Sequence, residues 1–513
     1  MTRAIRLLPA FMTVGAWTML SRVLGFVRDI LIAAFLGTGP MAEAFLVAFA
    51  LPNMFRRFFA EGAFNMAFVP MFSKRIERGE DAAGFAADAA TGLAVVLIVL
   101  IIAAQVFMPG FVLAMAAGFR GDERFDLAVT YGRIAFPYIL FISLAALASG
   151  VLNALGRFWA AAAAPVLLNM ILILAMAVVV AVDGDIGLAL AWAVPVAGVA
   201  QLALVWRAAQ SAGITLLPRR PRMSPELKRL AIIAAPAALA GGVVQVNLLV
   251  GRQVASFTDG AIGWLSYADR LYQLPLGMVG IAIGVVLLPD LSRRLAARDR
   301  AGGIAAINRA TEFSMVLTLP AAAALIAIPV PLVSVLFERG AFSAADTGAT
   351  ALALSIYGLG LPAFVLQKVV QPVFFSRSDT KRPFYYALAA MLLNLLVAVG
   401  LMPIIGYLAA PLATTLSAWM MLALLIRGAA RIDGAIEPDA RLLKAVPRLV
   451  GASALMGGLL WGLGWFGADY FDRPTVKYLA LAALVGIGAL TYALAVLGTG
   501  ALRMGDLRKS LGR

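Results

Sequence analysis

Residues 19–75 read MLSRVLGFVRDILIAAFLGTGPMAEAFLVAFALPNMFRRFFAEGAFNMAFVPMFSKR, and this stretch decides the fold. It places arginine and carboxylate side chains inside apolar runs that are long enough to cross a bilayer. A charged residue at the centre of a membrane helix costs roughly 2.5 to 3.5 kcal/mol, so such residues normally face the interior of a helix bundle. The stretch therefore predicts a helical membrane protein that encloses a cationic cavity.

The rest of the chain has the same apolar character. Its 513 residues are 62% hydrophobic and 13% charged, whereas soluble domains are about 25% charged. Apolar runs of about 20 residues, the length that spans a bilayer, recur from end to end. The composition excludes a soluble globular protein and indicates a polytopic membrane protein.

Several kinds of chemistry are excluded by residue content. The sequence has no cysteine and no histidine, which removes thiolate and imidazole metal ligands and the Ser-His-Asp triad. It also lacks the P-loop string of an ATPase. We therefore expect no metal site and no cofactor, with energy supplied by the membrane potential or a monovalent cation.

Apolar runs bounded by glycine, proline or charge predict an all-α protein with fourteen transmembrane helices. The predicted spans are 10–37, 44–72, 87–115, 130–154, 160–182, 186–209, 228–256, 261–290, 310–337, 347–375, 384–404, 408–429, 445–467 and 476–500.

The basic residues orient these spans. Most of the 42 Lys and Arg fall in loops on the side that holds both termini, and basic loops stay in the cytoplasm. Both termini are therefore predicted to be cytoplasmic. Loop orientation and anionic lipid account for the net charge of +15, so we predict no nucleic-acid partner.

An internal repeat divides the chain. The string VPMFSKRIERGEDAAGF at 69 returns as LPDLSRRLAARDRAGGI at 288, about 220 residues later. Six spans per repeat predict two lobes related by a pseudo-twofold axis along the membrane normal. The predicted domains are an N-lobe (1–222, spans 1–6), a C-lobe (223–432, spans 7–12) and a C-terminal region (433–513). That last region provides a groove for a lipid tail or simple packing.

Cations outnumber acids inside the spans. The seven cations are Arg22, Arg28, Arg56, Arg57, Arg252, Arg270 and Lys368, and the four acids are Asp29, Glu43, Glu61 and Asp269. A surplus of buried positive charge is stable only when an anion enters, and the planar guanidinium suits phosphate or carboxylate. The spans therefore predict a polyanionic or phosphorylated ligand.

Purely structural roles for the same residues also stay open. An arginine beside Asp29 also suits an ion pair that holds two helices together. Arg57 and Glu61, four residues apart, can pair on one helix face or extend to the membrane interface. Glu43 either stabilises a helix N-terminus or belongs to a gate.

Five strings closely resemble the MurJ/MviN family, the lipid II flippases of bacteria, within the multidrug/oligosaccharidyl-lipid/polysaccharide exporter superfamily. They are SRVLGFVRD (21–29), LPNMFRRFFAEGAFNMAFVP (51–70), LNALGRF (152–158), YADRL (267–271) and FFSRSDTKRP (374–383). The resemblance covers the whole chain, including the two C-terminal spans.

The resemblance implies a transporter of the inner membrane, not an enzyme. It would move lipid II, the polyprenyl-pyrophosphate-linked peptidoglycan precursor, to the periplasmic leaflet by alternating access, among membrane lipids and other cell-wall synthesis proteins. Its implied substrate-binding residues are Arg22, Arg28, Arg270, Asp29, Asp269 and Lys368. Its implied gate residues are Glu43, Arg56, Arg57, Glu61 and Gln273. Glu43 stands where relatives carry Asp, and Gln273 where some carry Glu, so gating details are open.

Three other functions compete with this interpretation. A multidrug exporter of the same superfamily would need an acidic or aromatic cavity for cationic drugs, not surplus arginine. An exporter of another polyprenyl-linked glycan has the same chemical needs as a lipid II flippase. A membrane glycosyltransferase would need a carboxylate base and metal ligands in a loop, and these loops are short and acid-poor.

Overall fold

The computed structural model describes residues 7–56, 63–216, 219–221, 224–297, 299–432, 436–471, 473 and 475–501. Throughout these ranges the regular structure is helical and contains no β-strand, which confirms the predicted all-α class. The chain forms two compact units, Met1–Gly263 and Trp264–Arg513.

Unit 1 is built from nine helices and the start of a tenth, and a 3-10 turn at Ala117–Phe119 joins the fourth to the fifth. The helices are α1 (Leu7–Leu36), α2 (Pro40–Arg56), α3 (Ala63–Arg78), α4 (Ala82–Met115), α5 (Glu123–Ala135), α6 (Tyr138–Ala154), α7 (Trp159–Ala181), α8 (Ile186–Ser211), α9 (Pro225–Ser256) and α10 (Ala261–Ala296). Asp81, Asp122, Asp185 and Ser224 begin four of them, because each side chain accepts a backbone N–H of the first turn.

Unit 2 contains the rest of α10 and eight further helices. They are α11 (Arg300–Ala327), α12 (Pro329–Phe337), α13 (Ala344–Phe375), α14 (Lys381–Ile405), α15 (Ala409–Ala430), α16 (Ala440–Phe466), α17 (Ala468–Phe471) and α18 (Lys477–Gly498). Ser343 and Asp346 form a capping box at the start of α13, which satisfies two backbone donors reciprocally.

Nine helical segments within the described ranges are long and apolar enough to cross a membrane. Large apolar side chains also lie on their outer surfaces: Leu396 is 71% exposed, Ile404 75% and Leu479 72%. Such a surface suits lipid and not water. The chain is therefore a polytopic membrane protein, and the total of fourteen spans stays a prediction.

Small residues bring the helices of unit 1 close together. A Cβ on Gly198 of α8 would lie only 2.8 Å from the buried ring of Tyr138. The Tyr138 hydroxyl donates to Gln201 (3.2 Å), whose amide donates to the Ala164 carbonyl (2.9 Å). Close approach and hydrogen bonds between helices are what stabilise packing in lipid, where burial of apolar surface provides little.

The starts of the helices recur at the spacing of the sequence repeat, about 220 residues. The corresponding first residues are Pro40 and Ala261, Glu123 and Ala344, and Trp159 and Lys381.

The compact units and the predicted lobes divide the chain at different places. Unit 1 extends to Gly263, because α9 packs against α3 and α4, whereas the N-lobe was predicted to end at 222. The lobes describe a repeat and the units describe packing, so the lobe boundaries stay a prediction.

Candidate substrate site

The centre of the candidate site is a charged pair on α1. Arg28 and Asp29 are each only 7% exposed. The Nε and Nη2 atoms of Arg28 both donate to Oδ1 of Asp29, at 3.0 and 2.6 Å. Neighbouring helical residues point about 100° apart, but the long arginine side chain reaches across the gap.

Asn169 of α7 is the third member of this group. Its Oδ1 accepts a hydrogen bond from Arg28 Nη1 (2.9 Å), and its Nδ2 donates to the Ser21 carbonyl (2.9 Å). The guanidinium carbon also lies 5.9 Å from the centre of the Phe49 ring. Asn169 of α7 thus links the Arg28 side chain to the backbone of α1 at Ser21.

Arg28 keeps donors for a ligand. A guanidinium carries five N–H donors, and the described residues engage three of them: two on Asp29 and one on Asn169. One N–H on Nη1 and one on Nη2 have no partner among the described residues, and both belong to the rigid planar guanidinium. This planar group matches two oxygens of a phosphate.

Arg22 lies on the same helix and is exposed. Within unit 2, Asp269 is half-buried and accepts a hydrogen bond from the Gln273 side chain one turn later. Arg270 and Lys368 are exposed. Each of these predicted residues therefore has surface through which it can meet a ligand.

Aromatic side chains of α10 and α13 pack together close to Asp269. Tyr272 stacks on Tyr357 with 5.3 Å between ring centres, and Phe364 lies 5.7 Å from Tyr272. Both tyrosines are less than a tenth exposed. The rings fix the α10 turn that carries Asp269 and Arg270, because buried aromatic pairs tolerate little movement.

The predicted gate residues are only partly described. Arg56 is half-buried at the end of α2, and Arg57 and Glu61 lie outside the described residues. Glu43 is 1% exposed; its carboxylate accepts one hydrogen bond from Arg124 and one from the Ile262 N–H, each 2.9 Å long. It does stabilise a helix N-terminus, as one interpretation held, but that of α10 and not its own.

A second buried carboxylate, Glu312 of α11, was missed from the sequence. It is 3% exposed and accepts hydrogen bonds from Arg309 and Arg441. Arg309 also donates to Asp439, which caps α16 by accepting the Leu442 N–H at 2.7 Å. We call Arg309, Glu312, Asp439 and Arg441 the α11–α16 clamp.

Long apolar helices that bury a charged pair, with two arginine N–H groups that no described residue engages, indicate a polytopic membrane transporter. Residues 32–479 match the family described as "Lipid II flippase MurJ". The chain belongs to this lipid II flippase family.

Two relatives illustrate the match. The chain is 43% identical to the "Probable lipid II flippase MurJ" of Rhizobium meliloti (strain 1021) over 517 residues, 99% of this chain and 96% of the relative. It is 37% identical to the "Lipid II flippase MurJ" of Burkholderia cenocepacia over 501 residues, 95% of this chain and 96% of the relative.

Solved structures share the fold. A "Lipid II flippase MurJ, inward closed conformation" superposes with a TM-score of 0.80 at 23% identity, covering 98% of this chain and 100% of that one. A multidrug resistance MATE family transporter of the MOP superfamily, in an inward-facing conformation, gives 0.67 at 14% identity, covering 83% and 98%.

Proposed function

We propose that this protein moves lipid II from the cytoplasmic to the periplasmic leaflet of the bacterial inner membrane, for peptidoglycan synthesis. A flippase breaks no bond. It must give a multiply charged headgroup a polar path while the polyprenyl tail stays in lipid. Membership of the lipid II flippase family supports this function over multidrug export.

The observation that carries the proposal is the guanidinium of Arg28, which is buried in an apolar helix and has two N–H donors that no described residue engages. Pyrophosphate oxygens accept hydrogen bonds strongly, and bidentate contacts to arginine are among the strongest. We infer that Arg28 binds the pyrophosphate with Arg22 and Arg270, and that these residues also contact the adjoining sugar. Asp29 and Asp269 position the arginines, and Lys368 lines the cavity.

Access to the site alternates between the two sides of the membrane. Glu43, Arg56, Arg57, Glu61 and Gln273 are the proposed gate residues. The scaffold is fourteen spans in two six-helix lobes related along the membrane normal, with both termini cytoplasmic. Residues 433–513 provide the groove for the polyprenyl tail, and membrane lipids and other cell-wall synthesis proteins are the remaining partners.

The energy source we propose is the membrane potential or a monovalent cation, without a bound cofactor. Moving one charge across a potential of 100 mV provides about 2.3 kcal/mol. A cationic cavity that carries an anion outward changes its net charge during the cycle, so the potential acts on the loaded and empty states differently.

The decisive experiment measures transbilayer movement of fluorescent lipid II by the purified protein in vesicles. We expect movement that Arg22→Ala and Arg270→Ala abolish. Arg157→Ala is the matched control, because Arg157 is an exposed arginine whose Nη1 donates to the Ser211 carbonyl at 3.2 Å. Vesicles in which the native protein moves no lipid II would refute the function.

Competition defines the substrate in the same vesicles. Unlabelled lipid II should slow the labelled molecule, and an anionic phospholipid should not. Equal competition by a polyprenyl-pyrophosphate with an unrelated glycan would identify an exporter of another lipid-linked glycan. Growth of cells depleted of their own flippase, with and without Arg22→Ala or Arg270→Ala, tests the assignment in the membrane.

A further inference from the structure

Five basic residues lie where α13 ends, α14 begins and α15 ends, all within unit 2. Arg377 follows α13, Lys381 and Arg382 begin α14, and Arg427 and Arg431 lie at the end of α15. We call this place the basic junction. By the predicted topology it is on the cytoplasmic side of the membrane. The proposed substrate site uses none of its residues.

Close packing brings the three helix ends together. Both α13 and α14 pack against α15. The ring of Phe374, near the end of α13, lies 6.2 Å from the ring of Tyr386 in α14. A Cβ on Gly428 of α15 would lie only 2.4 Å from the Tyr386 hydroxyl oxygen, so glycine leaves room for this ring. The first turn of α14 therefore contacts the ends of both neighbouring helices.

Arg377 is half-buried, whereas the other four basic residues are exposed. Its Nη1 donates to the Val373 carbonyl at 2.8 Å, a group that the end of α13 leaves without a helical partner. Burial lowers the pKa of the Arg377 guanidinium, because removal from water disfavours the charged form. No carboxylate in the described part of the chain forms an ion pair with it. The protein thus desolvates this charge without compensating it.

Carboxylates are scarce at the basic junction. Asp379, in the turn before α14, accepts the Arg382 N–H at 3.1 Å and lies 3.4 Å from Arg382 Nε. Lys381, Arg427 and Arg431 form no ion pair with any residue that the structure describes. Like charges that lie near one another without a counter-charge favour the binding of an anion.

The first repeat shows that the fold does not need these charges. The corresponding helix ends are the α6–α7 turn at 155–159 and the end of α8 at 207–211, and they carry only Arg157 and Arg207 as basic residues. The helices α6, α7 and α8 nevertheless pack against one another in the same way as α13, α14 and α15. The additional cations of unit 2 therefore suit a ligand better than a role in folding.

Exposed aromatic and aliphatic side chains show what kind of anion fits. Phe384 and Tyr385 of α14 are 40% and 63% exposed, with 5.8 Å between ring centres. Aromatic rings beside basic residues are typical of the membrane–water interface, where the phosphates of phospholipids lie. Further along α14, Leu392 and Leu396 are 50% and 71% exposed. This apolar surface suits acyl chains and offers nothing to a free phosphate ion.

We propose that the basic junction binds the phosphate group of an anionic phospholipid of the cytoplasmic leaflet. Of the five N–H donors of Arg377, the described residues engage one, and a guanidinium matches phosphate oxygens well. The exposed cations attract the headgroup, each by up to about five-fold in affinity. This lipid is bound and not transported, so the inference goes beyond the proposed flippase function.

A fluorescent probe tests the proposal, since the chain has no cysteine of its own. Phe375 ends α13 and is 44% exposed, so Phe375→Cys can carry a bimane label in the full-length protein in phosphatidylcholine vesicles. Brominated lipids quench bimane on contact. We expect brominated phosphatidylglycerol to quench several-fold more than brominated phosphatidylcholine at the same mole fraction, and less so in high salt. Equal quenching by the two lipids would overturn the site.

Substitutions identify the groups that bind the phosphate. Lys381→Gln, Arg427→Gln and Arg431→Gln change exposed side chains and leave the packing intact. Each should weaken binding of phosphatidylglycerol by up to about five-fold, and the triple variant should bind both lipids alike. Arg207→Gln is the matched control, because Arg207 is an exposed arginine at the end of α8, and it should change nothing. A lipid preference that survives in the triple variant would contradict the proposal.

Arg377 is tested by a pair of variants. Arg377→Gln should weaken the preference, and Arg377→Lys, which keeps the charge but not the planar group, should recover part of it. Equal preference in Arg377→Gln and the native protein would remove Arg377 from the site.

A second probe and a competitor define the place and the ligand. Trp159→Cys, at the corresponding start of α7, is 49% exposed at the native residue, and its label should be quenched equally by both lipids. Displacement of brominated phosphatidylglycerol by an equal amount of lipid II would assign the basic junction to the transported lipid and overturn the proposal. Quenching is measured without transport, so a failure of this site and a failure of the flippase function are distinguishable.

Discussion

Two buried charged groups, Arg28 in α1 and Glu312 in α11, differ in how fully their partners satisfy them. Arg28 uses three of five donors. Glu312 accepts from Arg441 Nη2 at 2.8 Å, from Arg309, and from the single Nε hydrogen of Arg441, which is shared between both oxygens at 3.1 and 3.3 Å. Each carboxylate oxygen therefore has two contacts with a guanidinium N–H, which matches its two lone pairs. A charged group with unused hydrogen-bond donors can bind a ligand. A group whose hydrogen-bonding positions are all occupied is suited to holding two helices together.

The comparison predicts its largest effect at Arg28. Arg28→Ala should slow lipid II movement by roughly 100-fold, because two charge-assisted hydrogen bonds of about 1.5 kcal/mol each are lost. Arg28→Lys keeps the charge but not the fork, and should recover only part of the rate. Both rates are measured in vesicles, with the unfolding temperature of each variant as the check that folding is unchanged.

A loss of stability without a loss of transport would contradict this interpretation of Arg28. If Arg28→Ala lowered the unfolding temperature strongly and each remaining folded molecule still transported normally, Arg28 would be a structural ion pair with Asp29. That is the blander interpretation that the sequence left open.

Replacing Glu312 should lower stability and leave transport unchanged. Glu312→Gln leaves Arg309 and Arg441 facing a neutral group, and breaking a buried ion pair costs 3 to 5 kcal/mol when both partners are enclosed. Arg309 and Arg441 are 36% and 44% exposed, so we expect about 2 kcal/mol, after allowing for screening by solvent. Denaturant unfolding in detergent measures it, and transport per folded molecule should not change.

A fall in transport without a fall in stability would place the α11–α16 clamp in the transport cycle. Arg157→Ala, which removes an exposed arginine in unit 1, is the control for nonspecific effects on the folded protein. It should leave both stability and transport near those of the native protein.

Part of this contrast follows from the sequence. Apolar runs predicted the helices. Their interruption by Arg28 and Asp29 predicted a charged site, because a charged side chain in the membrane is costly and normally has a function. The sequence also marked Glu43 as a residue at a helix start. Local pattern is enough for these inferences, since each depends on residues within a few turns of one helix.

The hydrogen-bond partners of these charged residues could not be predicted from local sequence pattern. Asn169 is 141 residues from Arg28, Arg124 is 81 from Glu43, and Arg441 is 129 from Glu312. Many polar residues at helix ends have a similar spacing to nearby charges, and only packing selects one of them.

Asn169 should have a smaller effect than Arg28. Asn169→Ala removes one hydrogen bond to a charged group, worth about 1.5 kcal/mol, and should weaken headgroup binding roughly 10-fold. Asn169→Asp should weaken it further, since a new carboxylate competes with phosphate for Arg28. The matched control is Asn394→Ala in the other repeat, where the amide donates to the uncharged Thr414 Oγ1 at 3.4 Å.

A binding titration with labelled lipid II in detergent separates these variants. Equal losses in Asn169→Ala and Asn394→Ala would show that packing, and not the contact with Arg28, determines the effect. Unchanged binding in Asn169→Asp would mean that Arg28 does not contact the phosphate.

The smallest predicted effect is the pH dependence of the stability that Asp439 contributes to the α11–α16 clamp. Burial acts to raise the pKa of this carboxyl, but the Leu442 N–H and the guanidinium groups of Arg309 and Arg441 outweigh it, so the pKa lies below its usual value. A lowered pKa stabilises the fold above the unfolded value of about 3.9, and that contribution disappears as pH falls through the folded value. Asp439→Asn should lower the unfolding temperature at pH 7, by an amount equivalent to less than about 1 kcal/mol for this exposed pair. The difference from the native protein should shrink as pH falls below the unfolded value and disappear only below the lower pKa of the folded state. A difference that does not shrink as the pH is lowered would mean that the cap of α16, and not its charge, is what Asp439 contributes to the clamp.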